Sequence, residues 1–413
     1  MVDKKKHVRM PFYFNEFRCT GGVCEDNCCI GWDVEIDKQT YQKYQKVKDK
    51  ELTLLFLNSI FKNPDSYDPK VDYAIVGLSK NNRCPFLNEK QLCKIQAKLG
   101  HDYLSNVCAA YPRYVNEING VAEYSLNVSC PEAARLILTN KQGLAFSSEK
   151  HETSSNTIIN FVVNTNEHNG SPMVKYFVEL RSFTISLLQN RKYPLWERIL
   201  LLGYFYKQLD QSMQGNVVAV PRLIEIFLQK IEKDEWRAEI SSIRADNTLQ
   251  FRIMKDITDN LNTVTEIDSQ RYIRFTEEFS KGLGISAKSN LESEGNAYEK
   301  AYVQYYEPFM KNHEYLIENY LVNYAFGGLF PSSESTKPFE AYRMLAIRYA
   351  LIKYYLIGIS AFRKGLTEGD CVQFIQVFSK AIEHHHTYLE GISAYMNRKK
   401  YNDVFYMELL LKN

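Results

Sequence analysis

The sequence has no run approaching the roughly 18 uninterrupted apolar residues of a membrane-crossing helix, so no membrane association is expected. Its N-terminus is basic but has no apolar stretch before Asn15, so a secretory signal is not expected either. Charge of one sign is not in excess: 51 Lys and Arg stand against 49 Asp and Glu, a net +2. That is too little to make a nucleic-acid-binding surface from bulk charge. The basic cluster Lys4-Lys5-Lys6-His7-Val8-Arg9 is short and reads as a solvated terminus. No G-x-G-x-x-G follows a predicted strand, which leaves a Rossmann-type cofactor cradle without support. No internal repeat stands out. Beyond residue 130 cysteine is almost missing, with Cys371 alone in the last 283 positions. Cys371 is expected to be a packed, reduced thiol.

Eight of the nine cysteines therefore crowd into the first 130 residues. Cys19, Cys24, Cys28 and Cys29 come first, followed by Cys84, Cys93, Cys108 and Cys130. With no signal for export, a reducing cytoplasm is the expected compartment. Structural disulfides are rare there and clustered thiols more often bind metal. Thiolates are soft ligands that select zinc, copper(I) or iron–sulfur chemistry. The spacing does not choose among these. Zinc sites show two short knuckles, but the eight residues between Cys84 and Cys93 are long for the second. The Cys84-Pro85 and Cys130-Pro131 steps resemble those of bacterial ferredoxin runs.

Pattern along the chain predicts an α+β protein, predominantly α. Residues 1–145 read as a small cysteine-rich metal- or cluster-binding domain, 146–170 as a linker or surface excursion, and 171–413 as a large helical domain. Ile30 to Ile36 alternates as a short strand, and Asp37 is placed to cap a helix. Asn119-Gly120 between two alternating stretches marks a tight hairpin. Pro131 suits the first turn of a helix. Apolar residues at helical spacing recur from Met173 onward, including periodic segments over Tyr298–Tyr324 and Asp370–Tyr395.

These residues also carry a resemblance. Cys24, Cys28-Cys29-Ile30-Gly31-Trp32-Asp33, Cys84-Pro85-Phe86-Leu87, Leu92-Cys93-Lys94-Ile95 and Cys108 leading to Tyr111-Pro112-Arg113 resemble the CxxCxxCC zinc- or iron-chelating proteins. Ser129-Cys130-Pro131-Glu132-Ala133-Ala134-Arg135 and Tyr193-Pro194-Leu195-Trp196-Glu197-Arg198 extend the likeness to the bacterial flagellin lysine-N-methylase family. The resemblance implies methyl transfer from S-adenosylmethionine to lysine ε-amines of flagellin, with a 4Fe-4S cluster in the enzyme and zinc as the alternative metal. The candidate metal ligands are Cys24, Cys28, Cys29, Cys84, Cys93 and Cys108. Cys130 ranks below them, as does Cys19, whose four-residue step to Cys24 departs from the family spacing. If three thiolates held the cluster, an open iron could chelate the methyl donor, by analogy with other cluster enzymes. With four, the cluster would be structural.

Lysine methylation needs a neutral amine, although a free lysine has a pKa near 10.4. Desolvation lowers that pKa, and a carboxylate or tyrosine can take the proton. Glu318 and Tyr320 are candidates for amine handling, and Arg113 for binding a cofactor carboxylate. Each also suits a packed or ion-paired role. His101 is a candidate second-layer ligand, while the tract His384-His385-His386 reads as helix surface. Two readings from other classes stay open: a non-catalytic zinc-stapled binding module, and an iron–sulfur redox sensor or electron carrier.

Overall fold

The structure is a computed structural model. It describes residues 5–31, 34–80, 82–152, 157–167, 171–214, 219–262, 269–333, 335–383 and 386–413. The chain forms two units: Met1–Leu136 with Ala145–Val163, and Ile137–Leu144 with Asn164–Asn413. Helix dominates, and among the described residues the strands all lie in the first unit, in keeping with the expected mainly α class.

The first unit carries β1 (Lys5–Pro11), β2 (Val34–Ile36), β3 (Ile60–Lys62), β4 (Ala74–Val76), β5 (Arg113–Ile118), β6 (Val121–Leu126), β7 (Phe146–Glu152) and β8 (Phe161–Val163). The larger sheet runs β7-β1-β6-β5-β8 and the smaller β2-β4-β3. The β5–β6 hairpin turns at Asn119 and Gly120 with φ of 50° and 80°, the positive values that a two-residue turn of this kind requires. Segment 146–170, read from sequence as linker or excursion, instead supplies two strands. Phe146–Glu152 pairs antiparallel with Lys5–Pro11 over its full length, and Phe161–Val163 pairs parallel with β5. Its polar composition suited a loop because a strand at a sheet edge buries little, and the pairing partner lies far away in sequence.

The smaller sheet sits on a core that includes Val34, Ile36, Tyr44, Leu52, Phe56 and Phe86. Asp37 caps helix Lys38–Tyr44, its Oδ1 accepting from Thr40 N at 2.9 Å. Its Oδ2 accepts from Asn106 N at 3.0 Å, so one buried carboxylate holds the starts of two helices.

The second unit is built round helix Pro338–Arg363, in which every residue from Ala341 to Ala361 is buried. A helix apolar on all sides belongs inside a protein or inside a bilayer. This one is long and apolar enough for either, but 94% of its most apolar window is buried among its neighbours. Two of its cations bond carbonyls within the protein: Lys353 Nζ donates to Leu411 O at 2.7 Å, and Arg348 Nη1 to Met344 O at 3.1 Å. Helix Gln270–Leu283 crosses it at paired glycines. A Cβ on Gly282 would fall onto the Gly358 carbonyl, and one on Gly358 onto the Phe279 ring.

The expected helix over Tyr298–Tyr324 is interrupted. Leu291–Ala301 runs into a π-helical turn at Tyr302–Tyr306, then Glu307–Met310, and the helix restarts at Tyr315–Gly327. Pro308 has no N–H to give the preceding turn and crowds its carbonyl. Glu307 N bonds Tyr302 O instead, one residue further back than in an α-helix. Asp370–Tyr395 is likewise divided, by a π-helical turn at Ser379–Glu383. His384 and His385 lie outside the described residues.

Candidate functional site

In the first unit, backbone contacts both local and distant in sequence bring several of the cysteine-bearing segments together. Cys84 N donates to Cys29 O at 2.9 Å, and Leu87 pairs with Cys93 across an isolated bridge. Asn27 fixes the neighbouring loop: its Oδ1 accepts from Cys29 N and its Nδ2 donates to Gln91 O. Cys93 is the cap of helix Lys94–Leu99, and Cys130 directly precedes helix Pro131–Leu138. Backbone N–H groups at those helix starts reach both sulfurs and oppose the rise in their pKa. Cys108 lies in helix Asn106–Ala110, held in place by Asp37 and capped by Ser105.

The electrostatics record the same gathering. Cys28 acts on every one of Cys24, Cys29, Cys84, Cys93, Cys108 and Cys130. Cys29 also feels Cys84 and Cys108, and Cys108 feels Cys84 and Cys93. Cys130 feels Cys24. Burial pushes the Cys84 and Cys130 thiols up to about 11. Cys108 keeps exposed surface, yet the protein packed round its sulfur pushes it up to about 12. Cys29 is raised furthest, first by its hydrogen bond with Cys28 and then by burial. Cys19 is exposed; its sulfur accepts from Gly21 N at 3.4 Å and lies near Arg113. Cys371 is fully buried in the second unit.

The gathered side chains offer sulfur alone, the donor that zinc and iron–sulfur centres share. Among the described residues, no group of three or more His, Cys, Asp or Glu is arranged to hold a metal ion. The fit to a metal centre is thus one of donor chemistry rather than of a closed ligand shell. His101 and Arg113 line a nearby 290 Å³ cavity with Asp37 and Tyr124. Arg113 is exposed, and its guanidinium lies 5.1 Å over the Phe17 ring without a carboxylate partner among the described residues. Burial and Arg18 both lower its pKa.

The second unit holds a larger cavity, of about 1000 Å³. Its walls are the start of helix Leu195–Gln214, the π-helical turn with Tyr302 and Tyr306, the start of Tyr315–Gly327, and Tyr349 and Lys353 of the long helix. Glu318 forms part of this wall but is committed elsewhere. It meets Arg198 at 2.6 Å and Arg191 at 2.7 Å, and only 1% of its side chain is exposed. Tyr320, two positions on, points to a different face of the same helix, is buried, and does not line the cavity. The two sequence candidates are therefore not brought together.

Two further residues that face the cavity were missed. Glu314 Oε2 accepts from Leu195 N at 3.0 Å and from Arg198 at 3.3 Å, and its carboxyl is raised by burial. Lys353 is brought down to about 7 by burial. A lone lysine in the apolar stretch from Tyr349 to Ile359 was a signal available from sequence. Glu314 had none, because both its partners lie more than a hundred positions away.

The FliB lysine N-methylase C-terminal domain family matches residues 181–410. The chain is also similar to the Lysine-N-methylase of Salmonella typhimurium, 23% identical over 380 residues that span 89% of this chain and 90% of that protein. The figures for the Lysine-N-methylase of Salmonella choleraesuis are the same. The Flagellar biosynthetic protein FliU of Salmonella muenchen is 31% identical over 149 residues, 36% of this chain and 86% of that protein. No solved structure matches.

Proposed function

Since the chain belongs to the FliB lysine N-methylase family, we propose that it methylates lysine ε-amines of flagellin with S-adenosylmethionine as donor. The observation that carries this reading is similarity to a named lysine-N-methylase along nearly the whole chain, so that both units are included. The flagellar name of the FliU relative supports flagellin as the substrate.

We further propose that the gathered thiols hold an iron–sulfur cluster. Cys29, Cys84, Cys93 and Cys108 are the first choice of ligands, with Cys28 between them and the Cys24–Cys130 pair. Burial raises Cys84, Cys93, Cys108 and Cys130 most and the effect of the thiols on one another adds to it, which supports this, because a cation among them would offset both costs of forming thiolates there. Such a cluster, held by four thiolates, would fasten the loops of the first unit. The protein's own task is to strip a proton from the lysine ammonium and align the amine with the methyl carbon.

Two measurements test these proposals. The anaerobically purified protein should show a broad absorbance near 400 nm with matching iron and sulfide. Cys84→Ser should bleach it and loosen the first unit, since metal-binding free energy is there also folding free energy. A colourless protein carrying zinc alone would remove the cluster. Labelled S-adenosylmethionine with flagellin should leave label on lysine. Absence of label would remove the methylase reading and favour a binding module or redox protein.

A further inference from the structure

We infer that the cavity of the helical unit receives the ammonium of the acceptor lysine and that Glu314 is the residue that takes its proton. This rests on the lysine-methylation reading above.

Three carboxylate side chains line the cavity, and only one is suited to the task. Glu318 is saturated by two arginines. Glu307 is exposed at the rim and bonded by the Tyr302 hydroxyl. Glu314 is held by Leu195 N and Arg198 through Oε2, which leaves Oε1 without a hydrogen-bond partner among the described residues. Its side chain keeps 35% exposure within a site where burial has raised its pKa. A carboxylate that is fixed, reachable and more basic than usual is what proton removal from an amine requires.

The opposite wall suits an alkylammonium. The π-helical turn presents Tyr302 and Tyr306 with their rings 5.8 Å apart and stacked. Such turns recur at functional sites because the extra residue re-aims the side chains. The rings of Tyr302 and Tyr349 already flank one ammonium, that of Lys353, at 5.8 and 5.6 Å. Aromatic faces attract a cation. Burial in the same wall brings the Lys353 amine down to about 7, so this surroundings favours the neutral amine that the reaction needs. Glu314 in turn acts on the Tyr302 and Tyr349 hydroxyls and on Lys353, which places all four round one space.

The charged groups facing Glu314 are Arg198 from the helix beginning at Leu195, Glu318 from its own helix, and Lys353 from the long helix. Tyr302 and Tyr349 are the titratable hydroxyls there, and Glu307, Arg191, Lys192 and Lys311 stand at the margins of the cavity. Arg198 holds Glu314 down towards its ionised form, while burial and Glu318 push it up.

In the reaction, the lysine ammonium gives one proton to Glu314 Oε1. The freed lone pair forms a nitrogen–carbon bond to the methyl group of the sulfonium donor. The sulfur–carbon bond breaks, its electron pair stays on sulfur as a thioether, and the positive charge leaves on the methylammonium.

Glu314→Gln keeps the size of the side chain and the bond from Leu195 N. Against a wild type that labels flagellin, the variant is expected to lose about a hundredfold in kcat near pH 7. KM for flagellin should change little, and activity should recover as pH rises and free amine becomes available. A folded variant with wild-type kcat and pH profile would overturn the inference, whereas a wild type that labels nothing would overturn the methylase reading instead. A second test needs no donor and no substitution at Glu314. n-Butylammonium titrated into the wild type should change the emission of Trp196, which lines the cavity, and Tyr349→Ala should weaken that response about tenfold. No response in the wild type would also overturn the inference.

Discussion

Glu318→Ala tests whether this carboxylate is structural. Glu318 and Arg198 meet at 2.6 Å with 1% and 2% of their side chains exposed. Removing the acid leaves the guanidinium with the Leu188 carbonyl and the longer 3.3 Å contact to Glu314. Breaking a buried pair from one side costs about 3–5 kcal/mol. The contact to Arg191, which is 42% exposed, adds at most about 1 kcal/mol. Because Glu314 still compensates part of the stranded charge, the lower end applies, about 3 kcal/mol. At roughly 2–4 °C per kcal/mol for a unit of this size, the midpoint falls by about 6–12 °C. Thermal unfolding followed by tryptophan emission reads this, since Trp196 and Trp236 both lie in the helical unit. Arg198→Met with Glu318→Leu should recover most of the loss, because an apolar pair of similar volume needs no compensation. A single variant melting within about 2 °C of wild type would refute the structural role and return Glu318 to the candidates for proton transfer.

Lys353 makes stability depend on pH. It holds its proton only to about 7 when folded but to its ordinary 10.5 when unfolded. The unfolded chain thus carries the extra proton between those values, and stability rises with pH through that window. Urea unfolding should show the wild type gaining on Lys353→Met by on the order of 3 kcal/mol between about pH 7 and 10. Gly358→Ala forces a methyl group into the Phe279 ring at the helix crossing, and calorimetry should show a loss of at least about 1–3 kcal/mol. Asp37→Ala removes one helix cap and the bond to Asn106 N. It should cost the first unit about 2 kcal/mol and speed hydrogen exchange in Lys38–Tyr44 and Asn106–Ala110 together.

Features set by neighbouring residues were legible in the sequence. The Asn119-Gly120 turn, the Asp37 cap and the start of helix Pro131–Leu138 all depend on backbone preferences within a few positions, and all are found as expected. The strand Phe146–Glu152 was not legible, since it is stabilised by a partner at the other end of the unit. The division of Tyr298–Tyr324 was only half announced. Pro308 signalled a disturbance, but that the chain would absorb it as a π-helical turn depended on the surrounding helices.

The same division holds for chemistry. Composition and spacing by themselves determined that thiols were concentrated in the first 130 residues, and the flanking motifs determined the family. Only the tertiary structure decided that Cys28 acts on six other thiols while Cys19 acts on Arg113. It alone decided that Glu318 is saturated by two arginines, while Glu314 meets Arg198 through Oε2 only and keeps Oε1 without a hydrogen-bond partner among the described residues. The physical reason is distance along the chain. A turn or a cap is a local balance of dihedral preference and one hydrogen bond. The state of a buried carboxylate is set by charges and burial contributed from more than a hundred residues away, which folding alone brings together.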